Sequence, residues 1–152
     1  MNPKAAQSYL RTKVLTATPE QLQLMLFDGA LRFCEQGRIA LEKNDFEGSF
    51  NALSRVQKIL MELIGALRPD VAPELCANLK SLYIYAHRHV VQANVKHDVD
   101  ALKEAIKILT YQRETWVMLL EQLSKQKASI AARSLNIPSP DARMEASISM
   151  QG

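Results

Sequence analysis

Four stretches of similar length repeat apolar residues at the three-and-four spacing of an α-helix, and together they make up most of the chain. Short polar or proline-containing breaks separate them. At 1.5 Å per residue each stretch would form a helix roughly 35 Å long, and short connections make consecutive helices antiparallel. The pattern therefore predicts an all-α fold, an antiparallel up-down four-helix bundle over residues 18–125. The predicted helices are Pro19–Lys43, Phe46–Arg68, Pro73–Lys96 and Val99–Lys125.

The start of the first helix is marked by Thr18, Pro19 and Gln21. The hydroxyl of Thr18 suits an N-cap because it can accept from the amide of Gln21, whose side chain can reach back in a capping box. Pro19 falls at the first helical position, where no helical hydrogen bond is lost. We therefore place the helix boundary at Thr18.

One apolar face on each helix supplies the predicted core. Glycine within a helix costs about 1 kcal/mol relative to alanine, so we expect Gly29 to serve the close approach of another helix. On the first helix the core face is assigned to Leu22, Leu26, Gly29, Phe33 and Ala40, and on the third to Leu75, Leu79, Leu82, Ala86, Val90 and Ala93.

The two ends of the chain lack this pattern. Residues 1–17 show no sustained helical period, so we expect a mobile or docked N-terminal arm. Residues 126–152 include Ile137-Pro138-Ser139-Pro140 and are mostly small or polar, a composition typical of disorder. The predicted organisation is an arm at 1–17, the bundle at 18–125 and a disordered tail at 126–152.

Composition and charge argue against a nucleic-acid-binding, membrane-inserted or secreted protein. The 19 basic and 16 acidic residues are spread along the chain and give a formal net charge of +3, which argues against a nucleic-acid surface. No apolar run approaches the roughly 20 residues that span a bilayer, and the N-terminus lacks a signal-peptide core, so we expect neither membrane insertion nor secretion by a cleaved signal. Cys34 and Cys76 lie on predicted helices without metal-ligand spacing, which favours a reduced, cytosolic setting.

No arrangement of side chains indicates catalysis or a bound cofactor. His87 and His89 are two residues apart and face different sides of a helix, and there is no Glu-x-x-His pair, so no metal site is predicted. The chain has no phosphate-binding glycine loop and no G-x-S-x-G motif. Asp28 is expected to pair with Arg32 one turn on rather than to act as a catalytic group. We therefore expect no enzyme and no cofactor.

A second apolar stripe runs along three of the helices, opposite the predicted core face. Exposed apolar surfaces of this kind reduce solubility, and grooves between helices commonly bind an amphipathic helix of a partner. A partner-binding surface is one hypothesis, and a wide core face or a homodimer seam explains the same pattern. The stripes are Leu24, Phe27 and Leu31 on the first helix, Ile84, Val91 and Val95 on the third, and Ile108, Tyr111 and Met118 on the fourth.

Several separated motifs link the chain to a known family. The first part carries Tyr9, Thr16-Ala17-Thr18-Pro19 and Met25-Leu26-Phe27-Asp28-Gly29-Ala30, and the later part carries Asn78-Leu79, Gln92-Ala93-Asn94 and Trp116. In this order they resemble the flagellar export chaperone family FliS over most of residues 1–120. The chain departs from the family pattern at three places: Ile84 stands where an Asp is usual, His89 stands where a second Arg is usual, and the stretch before Trp116 is Arg113-Glu114-Thr115.

This resemblance implies a chaperone that binds the C-terminal, polymerisation-prone segment of flagellin in the cytoplasm, prevents premature filament assembly and aids delivery to the flagellar type III export gate. It implies that the flagellin segment folds as helices along hydrophobic grooves, which the second stripes would provide. It also implies that the arm around Tyr9 gates the groove and contacts the export gate, whereas a flexible terminus is the simpler alternative. A self-associating structural bundle without an export client, including a weak homodimer, is the alternative function.

Overall fold

The computed structural model describes residues 2–136, which form five α-helices joined by short connections. Buried side chains from α2, α3, α4 and the first part of α5 form one hydrophobic core cluster. The predicted all-α bundle is therefore confirmed, with one further helix before it. The helices are α1 (Pro3–Thr16), α2 (Pro19–Glu42), α3 (Phe46–Gly65), α4 (Pro73–Lys96) and α5 (Val99–Leu135).

The chain divides into two compact units whose boundary falls inside α5. The first unit, Met1–Val117, contains α1 to α4 and α5 as far as Val117. The second unit is Met118–Gly152, of which the structure describes the remainder of α5 and the residue after it.

Side chains at the helix starts explain where α2 and α3 begin. Thr18 Oγ1 accepts from the amide of Gln21 at 3.2 Å, and the Thr18 amide donates to Gln21 Oε1 at 3.0 Å. The predicted capping box is thus confirmed, with Pro19 at the first helical position. At the start of α3, Asp45 Oδ1 accepts from the amide of Gly48 at 3.0 Å.

The turn between α4 and α5 is held by side-chain contacts. His97 ends α4 with a left-handed φ of 55°, and its ring stacks on Phe46 with the centroids 3.8 Å apart. Asp98 Oδ1 accepts from the amide of Ala101 at 3.1 Å, and its Oδ2 accepts from Gln92 Nε2 at 2.8 Å. The first of these bonds satisfies an amide of the first turn of α5, which has no partner within the helix, and the second ties Asp98 to α4.

The buried face of α2 is rotated from the predicted one. The most deeply buried residues of α2 are mainly small and form one line along the helix. Leu26 and Phe33 pack beside this line, and Leu22 is exposed. Small side chains lie deepest because they let the backbones of neighbouring helices come close together, leaving the larger ones to fill the flanks. The buried line is Phe27, Gly29, Ala30, Cys34, Gly37, Ala40 and Leu41.

The buried face of α4 is rotated in the same way near its start. Leu75 and Leu82, which were assigned to the core, are exposed, while the neighbouring Cys76 and Tyr83 are buried. Tyr83 takes the interior position because its ring meets that of Phe27, with 6.4 Å between the centroids. From Ala86 onwards the predicted face is confirmed, with Val90 also fully buried.

Close helix approach in α2 occurs at Gly37 rather than at the predicted Gly29. A Cβ atom at position 37 would lie 2.6 Å from Leu53 Cδ2 and 2.9 Å from Leu53 Cγ, distances that require atoms to move. A Cβ atom at position 29 would lie 3.6 Å from Ile59 Cδ1, which is ordinary contact. The expectation for Gly29 is therefore wrong, and Gly37 is the residue at which α3 packs closely against α2.

Both ends of the chain contain more helix than predicted. α1 begins where Asn2 Oδ1 accepts from the amide of Lys4 at 3.0 Å, and none of residues 3–16 is buried. Without a buried face, the segment carries no apolar period, which is why an irregular arm was expected. α5 continues to Leu135, so the disorder predicted from Gln126 is wrong as far as Leu135; the rest of the predicted tail, residues 137–152, lies outside the described residues.

Candidate partner-binding surface

Two side-chain contacts join α5 to the first turns of α2. The indole Nε1–H of Trp116 donates to the backbone carbonyl of Glu20 at 3.0 Å. The guanidinium of Arg113 bonds the carboxylate of Asp28, and both side chains stay partly exposed. The predicted pairing of Asp28 with Arg32 is wrong because α5 places Arg113 against that carboxylate. The two contacts fix the position of α5 along α2.

The predicted binding stripe on α2 is largely taken up by packing. Phe27 is only 2% exposed and belongs to the core, so its assignment to an outward stripe is wrong. It lies in the buried line of small residues, where it fills the space opposite Tyr83. Leu31 is half-buried and packs against the core cluster. Leu24 is half-buried and lines a cavity, so it is the residue of the predicted α2 stripe most available to a partner.

That cavity, of about 290 Å³, lies where the end of α1 meets the start of α2. Tyr9, further back on α1, is 71% exposed, and Leu15 is 75% exposed. A helix that buries none of its side chains gains little stability from packing. The cavity is lined by Lys13, Thr16, Ala17, Gln21, Leu24, Met25 and Asp28.

The predicted stripe on α4 is accessible to different degrees along the helix. Ile84 and Val91 are half-buried, and Val95 is 72% exposed. Steps of seven and four residues keep these three side chains on one face of the helix. Unlike the α2 stripe, this face remains accessible for contact with another protein.

A groove of about 520 Å³ opens between α3 and α4. The side chain of Asn94 on α4 bonds two residues of α3: its Nδ2 donates to Gln57 Oε1 at 3.0 Å and to Ser54 Oγ at 3.4 Å. Its Oδ1 is buried without a hydrogen-bond partner among residues 2–136. The groove thus combines polar groups with the exposed Met61 on its wall. Its lining residues are Ser54, Gln57, Lys58, Met61, Glu62 and His87.

The predicted stripe on α5 is exposed at two of its three positions. Ile108 is half-buried and packs against the core cluster, whereas Tyr111 is 66% exposed. Met118, the first residue of the second unit, is also exposed. Gln112 shares this helix and is buried, yet neither atom of its side-chain amide has a partner within the described part of the chain.

Several exposed aromatic residues lie outside the predicted binding stripes. Phe50 lies one turn after Phe46 at the start of α3, and Phe46 carries the stacked ring of His97. On α4, the rings of Tyr85 and His89 lie 4.1 Å apart, and His89 Nδ1 is 2.8 Å from the Tyr85 carbonyl oxygen. The four-residue spacing of each pair was the signal that could have identified them.

Ionisable groups do not assemble a reactive centre in the residues that the structure describes. No group of three histidine, cysteine or acidic side chains there could hold a metal ion. Burial, with a smaller contribution from the charge of Glu35, raises the pKa of the Cys34 thiol to about 12. Burial also raises the pKa of Tyr83 to about 12. Among residues 2–136, no helix is both long and apolar enough to span a membrane.

Comparison with known protein families gives a match over most of the chain. Residues 1–123 match the family described as flagellar protein FliS. The flagellar secretion chaperone FliS of Bacillus subtilis is 35% identical over 126 residues, which cover 83% of this chain and 92% of the relative. The protein of the same name from Salmonella typhimurium is 33% identical over 124 residues, or 81% of this chain and 92% of the relative.

A solved structure has the same fold. The crystal structure of a flagellar chaperone from bacteria superimposes with a TM-score of 0.65 and covers 78% of this chain and 97% of that one. The sequences are 18% identical, so this likeness supports the architecture alone.

Proposed function

This chain belongs to the FliS family of flagellar secretion chaperones, and from that membership we propose that it binds the C-terminal, polymerisation-prone segment of flagellin in the cytoplasm. Binding prevents premature filament assembly and aids delivery to the flagellar type III export gate. The observation that carries the proposal is the pair of accessible apolar faces, on α4 at Val95 and on α5 at Tyr111. An amphipathic client helix would cover exposed surface of this kind.

Half-buried apolar residues extend each of these two faces, although the exposed Arg88 lies between them on α4. Ile84 and Val91 continue the α4 face, and Ile108 continues the α5 face. A client segment that folds as it binds can cover a large area at moderate affinity. Moderate affinity suits a chaperone that has to release its client for export.

The binding experiment mixes the purified chain with the C-terminal segment of flagellin and measures affinity by calorimetry. Val95→Glu and Tyr111→Glu should each weaken binding at least about tenfold, because a charge would be buried against apolar client side chains. Val71→Glu is the matched control, since Val71 is 75% exposed, as Val95 is 72% exposed, but lies in the turn between α3 and α4.

The outcomes test the proposed flagellin binding and the proposed binding faces separately. If the unaltered chain forms no complex with the segment, the proposed function is wrong. If Val95→Glu and Tyr111→Glu weaken binding no more than Val71→Glu does, the client contacts a different face. Light scattering of the free chain tests the alternative of a self-associating bundle, which requires a dimer that Tyr111→Glu disrupts.

We propose that α1, on which Tyr9 is exposed, contacts the export gate and gates the groove that binds the flagellin segment. None of the side chains of α1 is buried, so α1 contributes no residue to the core. Tyr9→Ala should weaken binding to the export-gate component, with the similarly exposed Leu15→Ala as the control. Equal affinities for Tyr9→Ala and the unaltered chain, both for flagellin and for the gate component, would refute this role.

A further inference from the structure

Two arginine side chains from different helices share one aromatic ring on the α2–α3 side of the first unit. The Cζ atoms of Arg32 on α2 and Arg55 on α3 lie 5.2 and 5.1 Å from the centroid of the Phe33 ring. Phe33 is half-buried against the core, while both arginines are exposed. The ring therefore holds two guanidinium groups at the surface without neutralising either charge.

Neither arginine forms an ion pair with any residue in the 2–136 range. The acidic residues of the same stretch of α2, Glu35 and Glu42, bond Arg38 instead. Two like charges beside one ring repel each other. A carboxylate from outside would relieve that repulsion and accept the forked N–H groups of a guanidinium.

Arg55 also lines an open basin of about 410 Å³ between α2 and α3. Ile39, which is partly exposed, lies on its apolar side together with Ala40 and Ala52. Lys43 adds a second cation to the lining. The side-chain amides of Gln36 and Asn51 complete the polar part of the lining.

The basin has little negative charge of its own. Asp45 is the acidic residue that lines it, and one of its carboxylate oxygens accepts from the amide of Gly48 at 3.0 Å as the cap of α3. This bond holds the carboxylate at the start of α3, and its single negative charge is outnumbered by the two cations of the lining, Lys43 and Arg55. An incoming acidic group would meet the cations at Arg55 and Lys43 in a lining of both apolar and amide groups.

We propose that this basic basin, lined by Lys43, Arg55, Gln36, Asn51 and Ile39, acts together with Arg32, which shares the Phe33 ring with Arg55, to bind an acidic segment of a partner protein that also carries a large apolar side chain. Carboxylates of the segment meet the arginines, its apolar side chain covers Ile39, and its backbone or side chains bond the amides. The basin uses no residue of the faces on α4 and α5, so it does not depend on the flagellin proposal.

The lining favours a polypeptide over a nucleic acid or an anionic membrane. Phosphate groups would meet the cations but leave the apolar side of the basin uncovered. Nucleic-acid surfaces generally spread cations along a stripe, whereas here they gather around one ring and one basin. A segment with acidic and apolar side chains satisfies both parts of the lining.

The test uses three 12-residue peptides as probes: one alternating Glu and Leu, one alternating Lys and Leu, and one of Glu and Ser. Binding is followed by NMR on the full chain, through the side-chain amide signals of Gln36 and Asn51 and the Nε–H of Arg55. The Glu-Leu peptide should shift these signals. The other two peptides should bind at least about tenfold more weakly, because each lacks one of the two matching features.

Arg55→Glu should weaken Glu-Leu binding at least about tenfold, and Arg55→Gln should weaken it less. Lys103→Glu, at an exposed position on α5, is the control for net charge. The proposal is overturned if both Glu variants weaken binding equally, if the Glu-Leu peptide shifts signals elsewhere, or if the Lys-Leu peptide binds equally well. It is also overturned if vesicles of anionic lipid or single-stranded DNA shift the basin signals and the Glu-Leu peptide does not.

Discussion

The indole of Trp116 donates a hydrogen bond to the backbone carbonyl of Glu20, 96 residues earlier in the chain. The contact ties the middle of α5 to the first turn of α2, beside the capping box of Thr18 and Gln21. Together with the bond between Arg113 and Asp28, it defines how far α5 is shifted along α2.

Replacing Trp116 with Phe keeps an aromatic ring but removes the donor. We expect the free energy of unfolding to fall by about 1–2 kcal/mol, from the lost hydrogen bond and the smaller buried area. Trp116 is the single tryptophan of the chain, so urea unfolding is followed by circular dichroism. Tyr111→Phe, on the exposed side of the same helix, should change stability little. A loss for Trp116→Phe no larger than for this control would contradict the structural role.

Alanine at the two buried glycines of α2 should have opposite effects. Gly37→Ala forces Leu53 to move and should destabilise by about 1–3 kcal/mol, partly offset by the better helix propensity of alanine. Gly29→Ala has room for its methyl group, so it should be neutral or stabilise by up to about 1 kcal/mol. Denaturant titration of both variants checks the order, and equal effects would show that α3 does not approach Gly37 closely.

Replacing Gln112 with Leu should stabilise the bundle. The amide of Gln112 is buried and makes no hydrogen bond within residues 2–136, an arrangement that costs about 1–3 kcal/mol. A leucine of similar size removes that cost and keeps the packing. Thermal unfolding should therefore move to higher temperature, while Gln122→Leu, at an exposed position of α5, should not raise it. A lower midpoint for Gln112→Leu would mean that the amide does have a partner.

The contribution of Asp98 to stability should depend on pH. Hydrogen bonds from the Ala101 amide and from Gln92 lower the pKa of its carboxyl below the ordinary value of 3.8. A lowered pKa in the folded state means that the ionised form stabilises the fold; this contribution is present above pH 3.8 and disappears as the pH falls through the lowered pKa. Asp98→Asn should therefore lower the unfolding midpoint at pH 7, and this loss should shrink as the pH falls below 3.8.

Asp100→Asn supplies the control for Asp98, because it removes the same charge from an exposed position in the first turn of α5. A difference between Asp98→Asn and the unaltered chain that stays constant from pH 7 to about 2 would refute the assigned bonds, since linkage requires it to change.

The helix boundaries of the bundle were predictable because local chemistry sets them. Thr18, Asp45 and Asp98 cap helices through their own side chains, and Pro19 and Pro73 occupy first helical positions. These signals depend on residues three or fewer positions apart, so they can be identified without knowing the fold.

The direction of each buried face was harder to predict. α2 offers apolar residues on more than one side, and which side is buried depends on where α3 comes closest, at Gly37 and Leu53. A leucine-rich face was chosen from the sequence, but the deepest line consists mainly of small residues, with Phe27 at its start. That choice requires the neighbouring helix, and for this reason Phe27 was assigned to the wrong side.

The basic basin was not predictable for a similar reason. Arg32 and Arg55 are 23 positions apart (55 − 32), and nothing in the local pattern indicates that both meet the ring of Phe33. α1, in contrast, carried a local signal that was overlooked, because Asn2 followed by Pro3 is an N-cap followed by the first helical proline.

The burial of Cys34 and Cys76 makes the chain convenient for site-specific labelling. Both thiols are buried, and the raised pKa of Cys34 keeps it in the unreactive thiol form at neutral pH. A cysteine introduced at an exposed position would then be the thiol that a maleimide dye reaches, with both native cysteines left in place. Dyes attached in this way could follow the α4 face, the basic basin and α1 one at a time, in an otherwise unaltered core.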